Sequence, residues 1–306
     1  MKSRIILSTA DFSANNIGRY VELSDLTKKV LAKQTLYDEQ SSEAAALNTF
    51  LAGLTDNGFI GGTNPLIKYL VIPALANNND QLLYNIAELD GEGYPTDKRS
   101  DAEKAAAADK KVFNLYTGNN VVKGLYACNN SISSSDFITQ RKQVLDGFFT
   151  KGVQYPPMSV CMWCPQVSST SGDKLLEIGG GYSFVMKNNI VGLISENTSD
   201  RYLKASISGL GTGFVGITCD EANEQITAMF DNGTLGEVQS LNATTISQSN
   251  DDSYYNAINF GLHVYDDERK FHTSVIAFGN AMTTEQMTQF KSLLTSFLTS
   301  LNIISE

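Results

Sequence analysis

One tryptophan, two histidines and four cysteines are spread over 306 residues, and each scarcity removes a class of function. Four cysteines at this length do not make a disulfide framework, so a reducing compartment of synthesis is expected. A single tryptophan leaves no aromatic-rich sugar cleft of the kind a polysaccharide-cleaving enzyme would need. Basic residues are short as well: 23 Lys and Arg stand against 33 Asp and Glu, a formal net charge of −10. Nucleic acids and anionic membrane surfaces attract clustered Lys and Arg. The pairs Lys28-Lys29 and Lys110-Lys111 stand alone, so neither partner is expected. No apolar run approaches the ~20 residues of a membrane-crossing helix. Ile5-Ile6-Leu7, after the basic Met1-Lys2-Ser3-Arg4, stops at Ser8, short of the roughly 7–15 apolar residues of a secretion signal.

What is present is the composition of a globular β protein. Hydrophobic residues make up 42% and charged residues 18% of the chain, and Asn, Ser, Thr and Gly carry much of the rest. These suit turns and strand edges, because Asn and Gly accept positive φ and Ser or Thr bond locally to the backbone. A chain of about 300 residues buries roughly three quarters of its unfolded surface, enough for one large or two smaller β domains.

Residues 1–30 read as an N-terminal docking arm: a strand at Ile5-Ile6-Leu7, then an irregular stretch around Asn15, Asn16 and Gly18. A helix is predicted from Leu36 to Leu54, with Ala44, Leu47 and Leu51 on its apolar side and Glu39 and Glu43 toward its start. Gly58, Gly61 and Gly62 stop it, and Ile67–Leu75 reads as a buried strand. Residues 97–111, rich in Ala, Lys and Asp, form a surface excursion, so 31–111 is a helix-containing lead-in to the main strands and the C-terminal helix of 112–306.

From Val112 on, short apolar runs recur between Gly/Asn/Ser clusters. They are Val112–Tyr116, Gly124–Cys128, Ser159–Cys164, Tyr182–Lys187, Ile190–Ser195, Leu203–Ile207, Phe214–Cys219, Ile226–Phe230, Val238–Leu241, Ile258–Tyr265 and Phe271–Phe278. Many short strands without intervening helices predict an antiparallel sandwich or barrel. Asn232-Gly233, between Ile226–Phe230 and Leu235, signals a hairpin with a two-residue turn. The chain closes in an amphipathic helix, with Thr283 and Gln286 as a capping box and a stripe from Met287 through Phe290, Leu294 and Phe297 to Leu301.

Candidate chemistry meets a plainer reading at each place. Glu88-Leu89-Asp90-Gly91-Glu92 would put three acids on one face of a strand, the spacing by which family 16 glycoside hydrolases present their acids. Gly91 weakens a strand there, and Gly93-Tyr94-Pro95 turns the chain at once. Cys161-Met162-Trp163-Cys164 matches C-x-x-C, yet residues three apart on a strand face opposite ways and cannot share one ion. His263 and His272 read as facing each other or solvent in a hairpin across Asp266–Arg269. Gly179-Gly180-Gly181 precedes a strand, not a helix, and is no phosphate loop. Asp251-Asp252 and Asp266-Asp267-Glu268 offer carboxylates to Ca²⁺ without the spacing of a calcium loop. No catalytic residue, metal ligand or cofactor is expected, and the chain reads as a non-enzyme.

Taken together, several segments resemble one family. Ala10-Asp11-Phe12-Ser13-Ala14-Asn15-Asn16-Ile17-Gly18 is similar to an arm near the start of many tailed-bacteriophage tail-fibre and virion-associated structural proteins. Their helix and "Ile-Lys-x-Leu-x-Ile-Pro-Ala" strand have counterparts in Ala44–Leu54 and Ile67-Lys68-Tyr69-Leu70-Val71-Ile72-Pro73-Ala74. Ile276–Gln286, running into Leu298-Thr299-Ser300-Leu301-Asn302, resembles their closing strand and helix, with Asn302 where the relatives often have Gly.

The resemblance implies a concanavalin A/laminin-G-like jelly roll in a virion protein made in the host cytoplasm, a fibre or a capsid decoration. It would act by protein–protein contact, in host attachment among other roles. Its partners would be other virion proteins and itself, as a homo-oligomer, with trimers the usual form. Ile5, Ile6, Leu7, Asp11, Phe12, Asn15 and Ile17 would dock by strand addition or by threading a neighbour, and loss of residues 1–30 would leave a folded sandwich unable to assemble. A reading of another class is a lectin-like module for a bacterial surface glycan, with Tyr254 and Tyr255 as stacking surfaces and contacts from the loops Ser168–Asp173 and Ser247–Tyr255. Glycoside hydrolysis at Glu88–Glu92 is the third.

Overall fold

The computed structural model describes residues 22–77, 81, 84–88 and 274–303 together with the strands named below; strand side chains are described over 158–163, 213–218 and 227–229. Two helices come first, α1 (Asp25–Lys33) and α2 (Ser42–Asp56), then β1 (Ile67–Val71) and 3-10 turns at Pro73–Leu75 and Ile86–Glu88. The strands that follow are β2 (Thr96–Asp97), β3 (Phe113–Thr117), β4 (Lys123–Ala127), β5 (Ile138–Arg141), β6 (Met158–Cys164), β7 (Asp173–Ile178) and β8 (Tyr182–Lys187). After them come β9 (Ile190–Ser195), β10 (Tyr202–Ser206), β11 (Gly213–Asp220), β12 (Gln225–Phe230), β13 (Leu235–Gly236), β14 (Ala257–Phe260), β15 (His272–Thr273) and β16 (Val275–Asn280). Helix α3 (Thr284–Ser300) closes the chain.

The described strands form three sheets, ordered β1-β16-β6-β11-β12-β13, β10-β9-β8-β7-β14-β5-β2 and β15-β4-β3, and every pairing is antiparallel. The chain is therefore antiparallel and sheet-rich with a few helices, as the strand spacing predicts.

Alternation along the six-stranded sheet explains its layers. Cys161, Trp163, Phe214, Met229, Val275 and Ala277 join one core with the helices. Their neighbours Val160, Met162, Val215, Ile217, Ala228, Ile276 and Phe278 point the other way and are buried too. The sheet is thus an internal layer, and for that reason β6, β11 and β16 read as unbroken apolar runs rather than alternating ones. Strand β10 also approaches β12, and β15 approaches β6.

The helices pack on the first face. Phe290 of α3 lies 5.6 Å from Phe59 and 6.4 Å from Phe214, centroid to centroid, and Phe50 of α2 stacks on Phe297 at 4.5 Å. The entry into α3 is held by a closed ring of hydrogen bonds. The Met282 N–H donates to Ser159 Oγ (2.7 Å), Ser159 donates to Thr218 Oγ1 (2.9 Å), and Thr218 donates to the Met282 carbonyl (2.8 Å). Every polar group of this buried ring is satisfied.

At the free edge of the six-stranded sheet a side chain replaces a strand. Asn85 accepts from the Leu70 N–H (2.9 Å) and donates to the Lys68 carbonyl (3.2 Å), so β1 offers no open ladder there to an incoming chain. Across β1, Gly279 sits opposite Ile67 beside a bulge. A β-carbon on Gly279 would lie 1.9 Å from the Leu66 carbonyl oxygen, so only glycine fits.

Several expectations change. The first helix of the core is α1, which was not predicted: Ser24 caps it by accepting from the Thr27 N–H, and Thr27, Val30 and Leu31 are buried. An arm boundary at residue 30 therefore cuts through a core helix, and a deletion through 30 would take Leu23, Thr27 and Val30 out of the packed interior. Helix α2 starts at Ser42, not Leu36, because Ser41 is its cap. The strand expected over Ile67–Leu75 ends at Val71, as Pro73 has no N–H to give a ladder. The hairpin at β12–β13 exists, but Met229 pairs with Leu235. That register encloses an odd number of residues, and a two-residue turn needs an even number. Strands β2, β5 and β7 were not read at all.

Candidate functional site

Among the described residues, the chemistry-bearing side chains that the sequence singles out fall in places that disarm them. Cys161 is on β6, facing the helical core at 1% exposure, and burial pushes its thiol well above the ordinary range. Such a thiol is no nucleophile or metal ligand at neutral pH. Glu88 ends a 3-10 turn, which removes the strand alternation that would align it with Asp90 and Glu92. His263 lies outside the described residues; His272 of β15 pairs with Tyr126 of β4, while β14 pairs with β5 and β7 in another sheet. Lys28 and Lys29 are exposed on α1, as a solvated basic pair should be. Among the described residues no group of three metal-ligating side chains gathers, and no helix is long and apolar enough to cross a membrane.

The arm residues Ile5, Ile6, Leu7, Asp11, Phe12, Asn15 and Ile17 lie outside the described residues, as do Tyr254, Tyr255, Asp251-Asp252 and Asp266-Asp267-Glu268. The strands next to the tyrosines are described. Strand β14 sits between β7 and β5 in the interior of the seven-stranded sheet, and Ile258 pairs with Ile178. The first residue of β14, Ala257, is thus beside the last residues of β7, and Asp173 is at the far end, roughly 16 Å away at ~3.3 Å per residue. The loops Ser247–Tyr255 and Ser168–Asp173 therefore adjoin opposite ends of this ladder. The end of the ladder at Ala257 is the one where β7 ends at Ile178, the residue before Gly179-Gly180-Gly181 in the sequence.

A second concavity was not foreseen. Helices α1 and α2 and the turn Ile86–Glu88 enclose a groove of about 890 Å³. Its floor is aliphatic (Leu23, Leu26, Leu51, Ile60 and Ile86), with no aromatic among the described residues that line it. Among the described residues its rim carries Glu22, Asp25, Asp56 and Lys28. Asn48 braces one wall, its Oδ1 accepting from the Ser24 N–H (2.8 Å) and from Thr27 Oγ1 (2.9 Å). The signal that would have found this wall is Ser24 as a cap before Leu26, Val30 and Leu31 at helical spacing. That run was absorbed into the arm.

No family model matches the chain, and no curated protein sequence matches it. Solved structures do align. The CBM40 of the Ruminococcus gnavus IT-sialidase, bound to α2,3 sialyllactose, is 16% identical over 45% of this chain and 83% of its own, with a TM-score of 0.33. The binding domain of Botulinum neurotoxin DC in complex with SialylT is 14% identical over 59% of this chain and 44% of its own, at 0.39. The leech intramolecular trans-sialidase is 15% identical over 51% and 24%, at 0.30. Likenesses of this size carry no argument about ligand.

Proposed function

We propose that the chain is a lectin-like module, a concanavalin A/laminin-G-type sandwich that binds a bacterial surface glycan by contact and carries out no catalysis. The observation behind this reading is the position of β14. The ladder brings the residue following Tyr254-Tyr255-Asn256 to the same end as the Gly179–Gly181 turn, in the interior of the larger sheet. Tyrosine supplies an apolar face for a sugar ring and a hydroxyl for its edge. Glycine leaves backbone amides open to a ligand, and Gly179 directly follows Ile178, the partner of Ile258. The test is a bacterial glycan array probed with the purified chain and with the Tyr254→Ala/Tyr255→Ala double variant. Retention of a defined glycan subset, reduced about tenfold or more by the double variant, is expected. Retention of nothing, or retention that the double variant leaves unchanged, sinks the reading. Release of sugar from a β-glucan, lost in Glu88→Gln, would replace it with hydrolysis.

The setting we infer is a bacteriophage particle, as a fibre or capsid decoration. What supports it is that those segments of the family resemblance that lie among the described residues, far apart in sequence, pack against one another. Strand Ile67–Val71 pairs with the closing strand Val275–Asn280, and the helix over Ala44–Leu54 stacks on the closing helix through Phe50 and Phe297. Mass spectrometry of purified particles tests this: the chain should be present in stoichiometric amount, and its absence from particles would end the inference.

A further inference from the structure

We propose that Asn57 is a modification site, a self-deamidating asparagine that the closure of α2 holds shut until that end of the helix frays. The sequence supplies the chemistry. In Asn57-Gly58 the next backbone nitrogen reaches the side-chain amide with least obstruction, because glycine has no β-carbon. Both residues are exposed, so water and base reach them. The step needs only water. The Gly58 nitrogen, its proton lost to solvent base, bonds to Asn57 Cγ; the Cγ–Nδ2 bond breaks, and Nδ2 leaves as ammonia with a solvent proton. Water then opens the succinimide to aspartate or, through the main-chain carbonyl, to isoaspartate.

The fold opposes each part of that step. The Gly58 N–H donates to the Thr55 carbonyl at 3.0 Å, which engages the attacking nitrogen. Asn57 has ψ 9°, which turns that nitrogen toward Asn57's own N–H and away from its β-carbon, so the five-membered ring cannot close. The side-chain amide is held at both ends. Its Nδ2 donates to the Gly53 carbonyl (2.7 Å), and its Oδ1 accepts from Gln289 Nε2 of α3 (2.5 Å). Isoaspartate would add a methylene to the main chain just before Phe59, whose N–H closes on Leu54 and whose buried ring meets Phe290. Aspartate would add a negative charge at the negative end of α2, next to Asp56. Either product loosens the helix end that slowed its formation.

This modification stands apart from glycan binding and from any particle, and its test uses neither. The full-length chain is incubated in mildly alkaline buffer, with and without unfolding urea, while aspartate and isoaspartate at position 57 are followed by peptide mass spectrometry. Conversion in buffer should be about tenfold or more slower than in urea, because local opening limits it. Gln289→Ala, at an exposed position of α3, should speed conversion in buffer about threefold or more, the scale of one lost hydrogen bond, and leave the urea rate unchanged. Circular dichroism confirms that the variant is folded before rates are compared. A readout that needs no variant is the parent chain in urea below its unfolding midpoint, where the rate should already climb. Equal rates in buffer and unfolding urea, no conversion in urea, or a Gln289→Ala rate no faster than the parent's would each overturn the proposal.

Discussion

Helices α2 and α3 lie side by side on one face of one sheet, and they close in the same way but begin differently. At the C-terminus of α2, the Gly58 N–H donates to the Thr55 carbonyl and the Phe59 N–H to the Leu54 carbonyl. At the end of α3, Asn302 donates to Thr299 and Ile303 to Leu298. Both are Schellman closures, with the left-handed residue a glycine in one (φ 71°) and an asparagine in the other (φ 55°). The starts differ. Thr283 and Gln286 form a complete reciprocal capping box for α3, whereas Ser41 caps α2 alone, with Ala44 where a glutamine or glutamate would answer it. A helix with half its local signals is held by what it packs against. One with all of them is also marked in the sequence.

The largest way to break the pair is at the aromatic contact that α3 makes with both the sheet and the segment after α2. Phe290 is fully buried between Phe59 and Phe214. Phe290→Ala should cost about 3–5 kcal/mol, since lost transfer energy and a cavity add together. Denaturant titration reads it, and a loss below about 1 kcal/mol would mean that α3 is not seated as described. Next in size is the ring that anchors the start of α3. Thr218→Val keeps shape but orphans the Met282 carbonyl and the Ser159 hydroxyl, at a cost of about 1–3 kcal/mol. Helix α2 makes no bond to this ring, so native-state hydrogen exchange should accelerate in the first turn of α3 more than in α2.

The same contrast governs what could be read without coordinates. The start of α3 was legible to the residue because its capping box is complete, and the closing strand and stripe of Met287 to Leu301 followed from period alone. The start of α2 was misplaced at Leu36 because Ser41, without an acid or amide three residues on, gave too faint a boundary. Helix α1 escaped because Lys28, Lys29 and Lys33 dilute its short apolar side, and only tertiary burial of Val30 and Leu31 makes it secure. Strands β8 and β9 were bounded correctly, since Gly179–Gly181 and Asn188-Asn189 punctuate them. That β14 and β15 join different sheets was not legible, because local spacing says nothing about which sheet a strand joins. The groove was invisible for the same reason: its floor comes from residues as far apart as Leu23 and Ile86.

Alkali tests the layer beneath both helices. Cys161 sits under them, and Tyr69 is buried on the opposite face of the sheet; burial raises both pKa values above 9.0 and 10.0, their ordinary values. In the folded chain both stay protonated while in the unfolded chain they ionise, so unfolding releases protons as pH climbs. Stability from this source is complete below about pH 9 and falls above it, by roughly 1.4 kcal/mol per pH unit for each group. Urea midpoints between pH 8 and 11 should show the decline, and Cys161→Ala should flatten the slope by one group's share whatever it does to stability at neutral pH. An unchanged slope would mean that water reaches the thiol and the helical layer is not closed over it.

The smallest effect bears most directly on the comparison. If the left-handed residue is what the two closures share, exchanging their occupants should move stability in opposite directions. Asn302→Gly removes the strain of a side chain at φ 55° and should gain about 0.5 kcal/mol, partly offset by the greater freedom of glycine in the unfolded chain. Gly58→Asn should lose about as much, and its added side chain meets open space, since nothing lies within 4 Å of where the β-carbon would stand. Steric clash is thereby removed as an explanation for the loss. Thermal midpoints resolve changes of this size, and the double exchange should return close to the starting value, because the two ends are distant enough to act independently. Two losses, instead of one loss and one gain, would show that Asn302 is held for its side chain's own bonds and not for its backbone.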